Sequence, residues 1–162
     1  MYARILVPLD GSKLAERALA AAEDLARLMG APLHLVRVVD PTPLDLGGYG
    51  SDATVLAQGA SSPFLTDEEV AARAYLDRMT ARVAEHGLVA SGEVRHGIAA
   101  RVIVGMAEPG DLIVMGTHGR GGLARWFLGS VAEEVVRHTR VPLLLIRAEG
   151  DGDTEHARVA AS

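Results

Sequence analysis

The chain has 162 residues, 49% hydrophobic and 23% charged, which describes one globular domain and excludes global disorder. Cysteine is absent, which removes disulfides, thiolate metal sites and thiol nucleophiles together, and aromatics at 4% are too few for a platform that stacks single-stranded nucleic acid. Sixteen Lys and Arg against 21 Asp and Glu leave a formal charge of −5, which argues against a nucleic-acid footprint.

Ile5-Leu6-Val7 is continuously apolar, as expected of a strand covered on both faces, and Pro8 ends it. The run is too short for a signal-peptide core, and no stretch approaches the roughly 18 apolar residues of a membrane span. A soluble cytoplasmic protein is therefore expected. From Ser12 the period changes. Leu14, Ala15, Ala18, Leu19, Ala22, Leu25, Ala26 and Met29 recur at helical spacing, and Gly30 is placed to close the helix. A second strand is expected over Leu33 to Val39.

Residues 40–65 carry Pro41, Pro43, Gly47, Gly48, Gly50, Gly59 and Pro63 with no sustained period. A loop of this length is a flap over a ligand, a partner-docking segment or, most plainly, a tolerated surface insertion. Thr66-Asp67-Glu68-Glu69 is a capping box, and the helix it starts is expected to turn Val70, Ala71, Ala74, Met79 and Val83 inward before Gly87 stops it. A third strand over Val89 to Val94, a short helix from Ile98 to Ala107 and a Pro109-Gly110 turn lead into Asp111 to Met115, the most convincing buried strand. After the Gly-rich stretch 116–122, a helix covers Ser130 to His138 and a last strand covers Val141 to Ile146. An acidic tail follows over 148–162. This alternation predicts an α/β domain with a parallel sheet.

Two segments stand just past the carboxyl end of a predicted strand: Pro8-Leu9-Asp10-Gly11-Ser12, and Gly116 to Gly122 continuing to Gly129-Ser130. Ligands of open parallel sheets bind at such ends, where the strand order reverses. Glycines let backbone N–H groups approach a ligand without an intervening Cβ, and a helix start at Ser130 adds N–H groups with a favourable dipole. The pattern reads as an anion site. Arg120 and Arg125 offer bidentate contacts to a polyphosphate, and Asp10 offers a carboxylate to a bridging Mg²⁺ or a ribose hydroxyl.

The spacing Gly116-x2-Gly119-x9-Gly129-Ser130 resembles the nucleotide-binding signature of the universal stress protein family. The opening Ile5 to Ser12 and the ending Gly129 to Ala132 with Val141 to Arg147 are similar to that family's first strand and loop and to its last helix and strand. The resemblance covers roughly residues 3 to 147. It implies a Rossmann-like domain over 1–147, with a five-stranded parallel sheet in order 3-2-1-4-5 and helices on both faces, that binds ATP with Mg²⁺ as a nucleotide-dependent stress-response regulator. It places Asp10 near ribose and metal, the Val38 backbone at adenine, and Gly116, Gly119, Gly129 and Ser130 at the phosphates, with Arg120 at an often basic position. Pro8, Leu9, Met115, His118 and Val131 complete the nucleotide-binding set it implies. It also implies a homodimer through the last strand, 141–147, whose apolar edge invites pairing with another chain.

Two alternatives remain open. One is slow ATP hydrolysis or phosphoryl transfer to the protein itself, for which only Asp10 and His118 offer a group near the water. The other is an interaction module whose crevice is empty or holds another nucleotide such as cyclic AMP. No residue is assigned a catalytic role: His118 reads as a hydrogen-bonding loop residue. The other histidines lack metal-ligand spacing. A Walker A loop is absent, since the only lysine is Lys13, and no Gly-x-Ser-x-Gly elbow occurs.

Overall fold

A computed structural model of the chain describes residues 1–39, 67–118 and 128–147. The expected loop 40–65, the cap at Thr66, the glycines from Gly119 to Gly122 with Arg120 and Arg125, and the tail 148–162 lie outside the described residues.

The described elements run β1 (Arg4–Pro8), α1 (Lys13–Met29), β2 (Leu33–Val39), α2 (Asp67–Glu85), β3 (Ala90–His96), α3 (Ala99–Met106), β4 (Asp111–Gly116), α4 (Ser130–His138) and β5 (Leu143–Ile146). All strand pairs are parallel and the order is β3-β2-β1-β4-β5, as the resemblance implied. Alternation along the strands divides the core. Ile5, Val7, Leu33, Leu35, Leu112 and Val114 pack under α1 and α2, whereas Leu6, Val36, Ile113 and Met115 pack under α3 and α4. Each fully buried Leu or Ile contributes about 1.5–3 kcal/mol relative to exposure.

Local chemistry sets the helix ends. Ser12 caps α1, its Oγ accepting from the Ala15 N–H at 3.1 Å. Gly30 closes α1 in the left-handed region at φ 64°, its N–H donating to the Ala26 carbonyl at 2.8 Å.

Four expectations need correcting. α2 buries Ala72, Leu76 and Val83, with Met79 half-buried, while Val70, Ala71 and Ala74 face solvent. The inward stripe is thus offset, because Leu76 and Val83 define it and small Ala residues occur on both faces. β3 runs to His96 rather than Val94, since an edge strand needs only one paired side and tolerates polar Arg95 and His96 opposite Val38 and Val39. β5 begins at Leu143, because Pro142 contributes only its carbonyl, accepting from the Ile113 N–H at 3.0 Å. α3 spans Ala99–Met106, one residue shorter at each end than expected, and its N-cap Ile98 makes no side-chain bond.

Candidate functional site

Pro8 belongs to β1 and has a structural consequence. β1 pairs with β2 as far as Pro8 opposite Val36, and the Leu9 N–H still reaches the Val36 carbonyl at 2.8 Å. On the other side, pairing with β4 ends at Leu6 opposite Ile113. Odd residues of β1 turn their N–H groups to β2, so the next donor owed to β4 is that of residue 8, and proline has none. β4 meanwhile continues to Gly116 paired with β5. The two central strands therefore part where β1 loses a donor, and a crevice opens between their carboxyl ends.

That crevice is a cavity of about 380 Å³. Pro8, Leu9 and Asp10 form one wall, Met115, Gly116 and His118 another, and Gly129, Ser130 and Val131 a third. Val38 closes the β2 side. All the expected site residues within the described chain thus meet in one place; Gly119 and Arg120 are the two outside it. The expectation omitted the cavity's apolar floor, Val36, Ala99 and Ile103, along with Ala15, Thr117, Leu128 and Ala132. Val36 was traceable as the residue two before Val38 on the same strand face. Nothing local marks Ile103, which a separate helix carries in.

The polar groups of the cavity come from backbone geometry. Gly129 caps α4 in an extended conformation without a side-chain bond, and the first intrahelical bond runs from the Glu133 N–H to the Gly129 carbonyl at 2.9 Å. The N–H groups of Ser130, Val131 and Ala132 are therefore free of intrahelical partners at the positive end of a helix. The helix start is fixed in place because the Gly129 N–H donates to the Thr117 carbonyl at 2.8 Å, and the Thr117 N–H donates to Ile146 at 2.9 Å. Asp10 Oδ1 accepts from the Ser12 N–H at 2.9 Å, which leaves its second oxygen unpartnered among the described residues. His118 Nδ1 lies 3.0 Å from Thr117 Oγ1, and its buried Nε2 has no partner among the described residues.

Gly116 has a packing reason of its own. A Cβ there would stand 2.9 Å from Leu14 Cγ and 3.3 Å from the His118 carbonyl oxygen. No group of three or more metal-ligating side chains occurs among the described residues, and no described helix is long and apolar enough to cross a membrane.

A family model described as the Universal stress protein family matches residues 1–147. The universal stress protein MJ0531 of Methanocaldococcus jannaschii is 34% identical over 150 residues, covering 91% of this chain and 83% of that protein. The solved universal stress protein UspA of Lactobacillus plantarum superposes with a TM-score of 0.71 at 31% identity, over 90% of this chain and 98% of that one. The universal stress protein of Archaeoglobus fulgidus, solved in complex with dAMP, shares the fold at 23% identity and a TM-score of 0.59, over 90% of this chain and 98% of that one.

Proposed function

Since this chain belongs to the universal stress protein family, we propose that its crevice binds ATP with Mg²⁺ and that the protein is a cytoplasmic, nucleotide-dependent regulator in stress response. The observation that carries this reading is the pairing, within one cavity, of an apolar floor with a helix start whose N–H groups lack partners. A flat aromatic base suits Val36, Val38, Ala99 and Ile103, which offer dispersion contacts and no charge. Phosphate oxygens suit the N–H groups of Ser130 and Val131, with Gly119 and Arg120 assigned to the same role. Asp10 carries like charge to a phosphate, so its free oxygen serves a ribose hydroxyl or the metal. A Mg²⁺ held by one carboxylate, phosphates and water is that ion's ordinary environment, and it would neutralise charge between Asp10 and the phosphates. The adenine nucleotide seen on the A. fulgidus fold agrees with this choice, which here rests on the cavity.

The protomer is proposed as a domain over 1–147 with a separate tail, pairing with a second copy through 141–147. β5 is an edge strand with four residues, and Leu144 is 38% exposed on it. Regulation through a protein partner belongs to the same proposal.

The test is calorimetric titration of ATP with Mg²⁺ into the full chain and into Val38→Trp, which fills the floor, and Gly129→Val, which crowds the helix start. Saturable binding to the native chain that both variants lose, with circular dichroism unchanged, is expected. Absence of binding to the native chain, or equal binding to all three, refutes the assignment.

A further inference from the structure

At the other end of the sheet a hydroxyl, an imidazole and a carboxylate form one hydrogen-bonded line. His34, second in β2, stands directly opposite Ser91 of β3, and Glu93 projects from the same face two residues on. His34 Nδ1 lies 2.8 Å from Ser91 Oγ, and Nε2 lies 2.8 Å from Glu93 Oε1. Glu93 is held in turn by Arg95, whose Nε is 2.8 Å from Oε2.

The protonation pattern follows from charge. Burial pushes the Glu93 carboxyl up, but the bonds from His34 and Arg95 outweigh it and keep the group below the ordinary carboxylate range. Glu93 is then an anion at neutral pH and only accepts, so whenever the His34 ring is neutral the bond to Glu93 requires its proton on Nε2. Nδ1 is left as the acceptor and Ser91 donates its hydroxyl proton to it. This is the arrangement that activates a serine: a base on the hydroxyl and an anion orienting the base. The base is sheltered, its side chain 15% exposed, while Ser91 is open to solvent.

The backbone N–H that follows the serine in sequence is not used by the ladder to β2. The Leu33 N–H bonds the Val89 carbonyl, so the alternation of a parallel ladder turns residues 89, 91 and 93 toward β2. Among the described residues β3 has no second neighbour in the sheet, and the Gly92 N–H, next after Ser91, is turned away from β2. No side chain at Gly92 covers it.

We propose that Ser91 is an acyl-accepting nucleophile toward small activated carboxylic esters, with His34 as its base and Glu93 as the positioning residue for that base. Ser91 Oγ bonds to the ester carbonyl carbon as its proton passes to His34 Nδ1. The tetrahedral adduct collapses, the bond from carbon to the leaving oxygen breaks, and that oxygen takes the proton from His34. Ser91 is left as its ester, which water cleaves by the same base to regenerate the hydroxyl and release a carboxylic acid. A solvent-exposed strand edge suits short acyl groups.

The experiment uses the full chain with p-nitrophenyl acetate at neutral pH, reading p-nitrophenolate release and the mass of the peptide carrying Ser91. An acetyl group on Ser91 is expected, absent from Ser91→Ala. His34→Gln lowers the rate by at least about 100-fold, the usual worth of a general base. Glu93→Gln lowers it with circular dichroism unchanged, and Glu93→Asp restores part of it, an effect a merely structural carboxylate would not produce. Four outcomes overturn the proposal: no acetyl group on Ser91, acetylation confined to Lys13 or the chain amine, a Ser91 rate unaltered by His34→Gln, or release that persists in Ser91→Ala.

Discussion

Gly116→Ala places a methyl group where three atoms already stand. The added Cβ meets Leu14 Cγ at 2.9 Å, Leu14 Cδ2 at 3.2 Å and the His118 carbonyl oxygen at 3.3 Å. Gly116 is an ordinary strand residue without a positive φ, so the whole effect is packing and none of it is backbone strain. The carbonyl belongs to the chain leaving β4, and Leu14 belongs to the first turn of α1, directly after the Asp10 loop. Neither yields freely. Overpacking of this kind costs about 1–3 kcal/mol. Urea unfolding of Gly116→Ala, Leu14→Ala and the double variant measures it. Leu14→Ala removes the two closest atoms, so the double variant should lose less than the summed single losses, by about 1 kcal/mol or more. ATP affinity should fall in Gly116→Ala and recover in the double variant, because there the glycine serves Leu14 and not the ligand. A Gly116→Ala chain within about 0.5 kcal/mol of native, the range of an indifferent substitution, refutes the argument, as do strictly additive losses.

Three further outcomes follow from the same geometry. Asp111, its side chain 3% exposed, accepts from Arg4 Nη2 at 2.6 Å and from the Glu108 N–H at 2.9 Å. Burial raises its pKa, but the Arg4 and Glu108 bonds outweigh that and hold it below the usual aspartate range. The pair's contribution is therefore complete above the unfolded value of about 3.9 and is lost as pH falls through the lower folded value. Asp111→Asn should flatten that acid limb in urea titrations and cost about 1–3 kcal/mol at neutral pH, partly offset because Arg4 still reaches water. The Tyr75 hydroxyl is buried without a partner among the described residues, and burial, with Glu16 and Asp10 nearby, pushes its pKa up to about 12. Tyr75→Phe should leave thermal stability unchanged or raise it, by up to about 1 kcal/mol, and a clear loss would reveal a bond to that oxygen. Leu144→Lys should convert a dimer to a monomer in light scattering, and a native chain that is already monomeric at micromolar concentration removes the pairing through 141–147.

What was legible in the chain tracks how local its cause is. β1 and β4 are recognisable because burial on both faces forces apolar side chains at every position from Ile5 to Val7 and from Leu112 to Met115. β3 is legible as a strand over Val89 to Val94 but not to its end, because an edge strand with one covered face tolerates the polar Arg95 and His96 that follow. The glycines at 116 and 129 were visible, but their reasons were not. One makes room for Leu14, and the other caps α4 with no side chain on its N–H groups. The line from Ser91 through His34 to Glu93 joins positions 57 residues apart, and only the register of β2 against β3 assembles it.

That register also explains why the two ends of one sheet carry opposite chemistry. At the amino ends, Arg4, His34, Ser91, Glu93 and Asp111 pair with one another in the first two turns of the pleat. Each charge there has a neighbouring partner, while Arg4, Glu93 and the Ser91 hydroxyl still meet solvent. At the carboxyl ends the strands leave backbone donors beside the Asp10 carboxylate, and Pro8 removes the one donor that would have stitched β1 to β4. Replacing Pro8 by a residue with an N–H would supply that donor, and the crevice between the central strands would narrow as pairing extended past Leu6. The cavity thus depends on a missing hydrogen bond as much as on the side chains that line it.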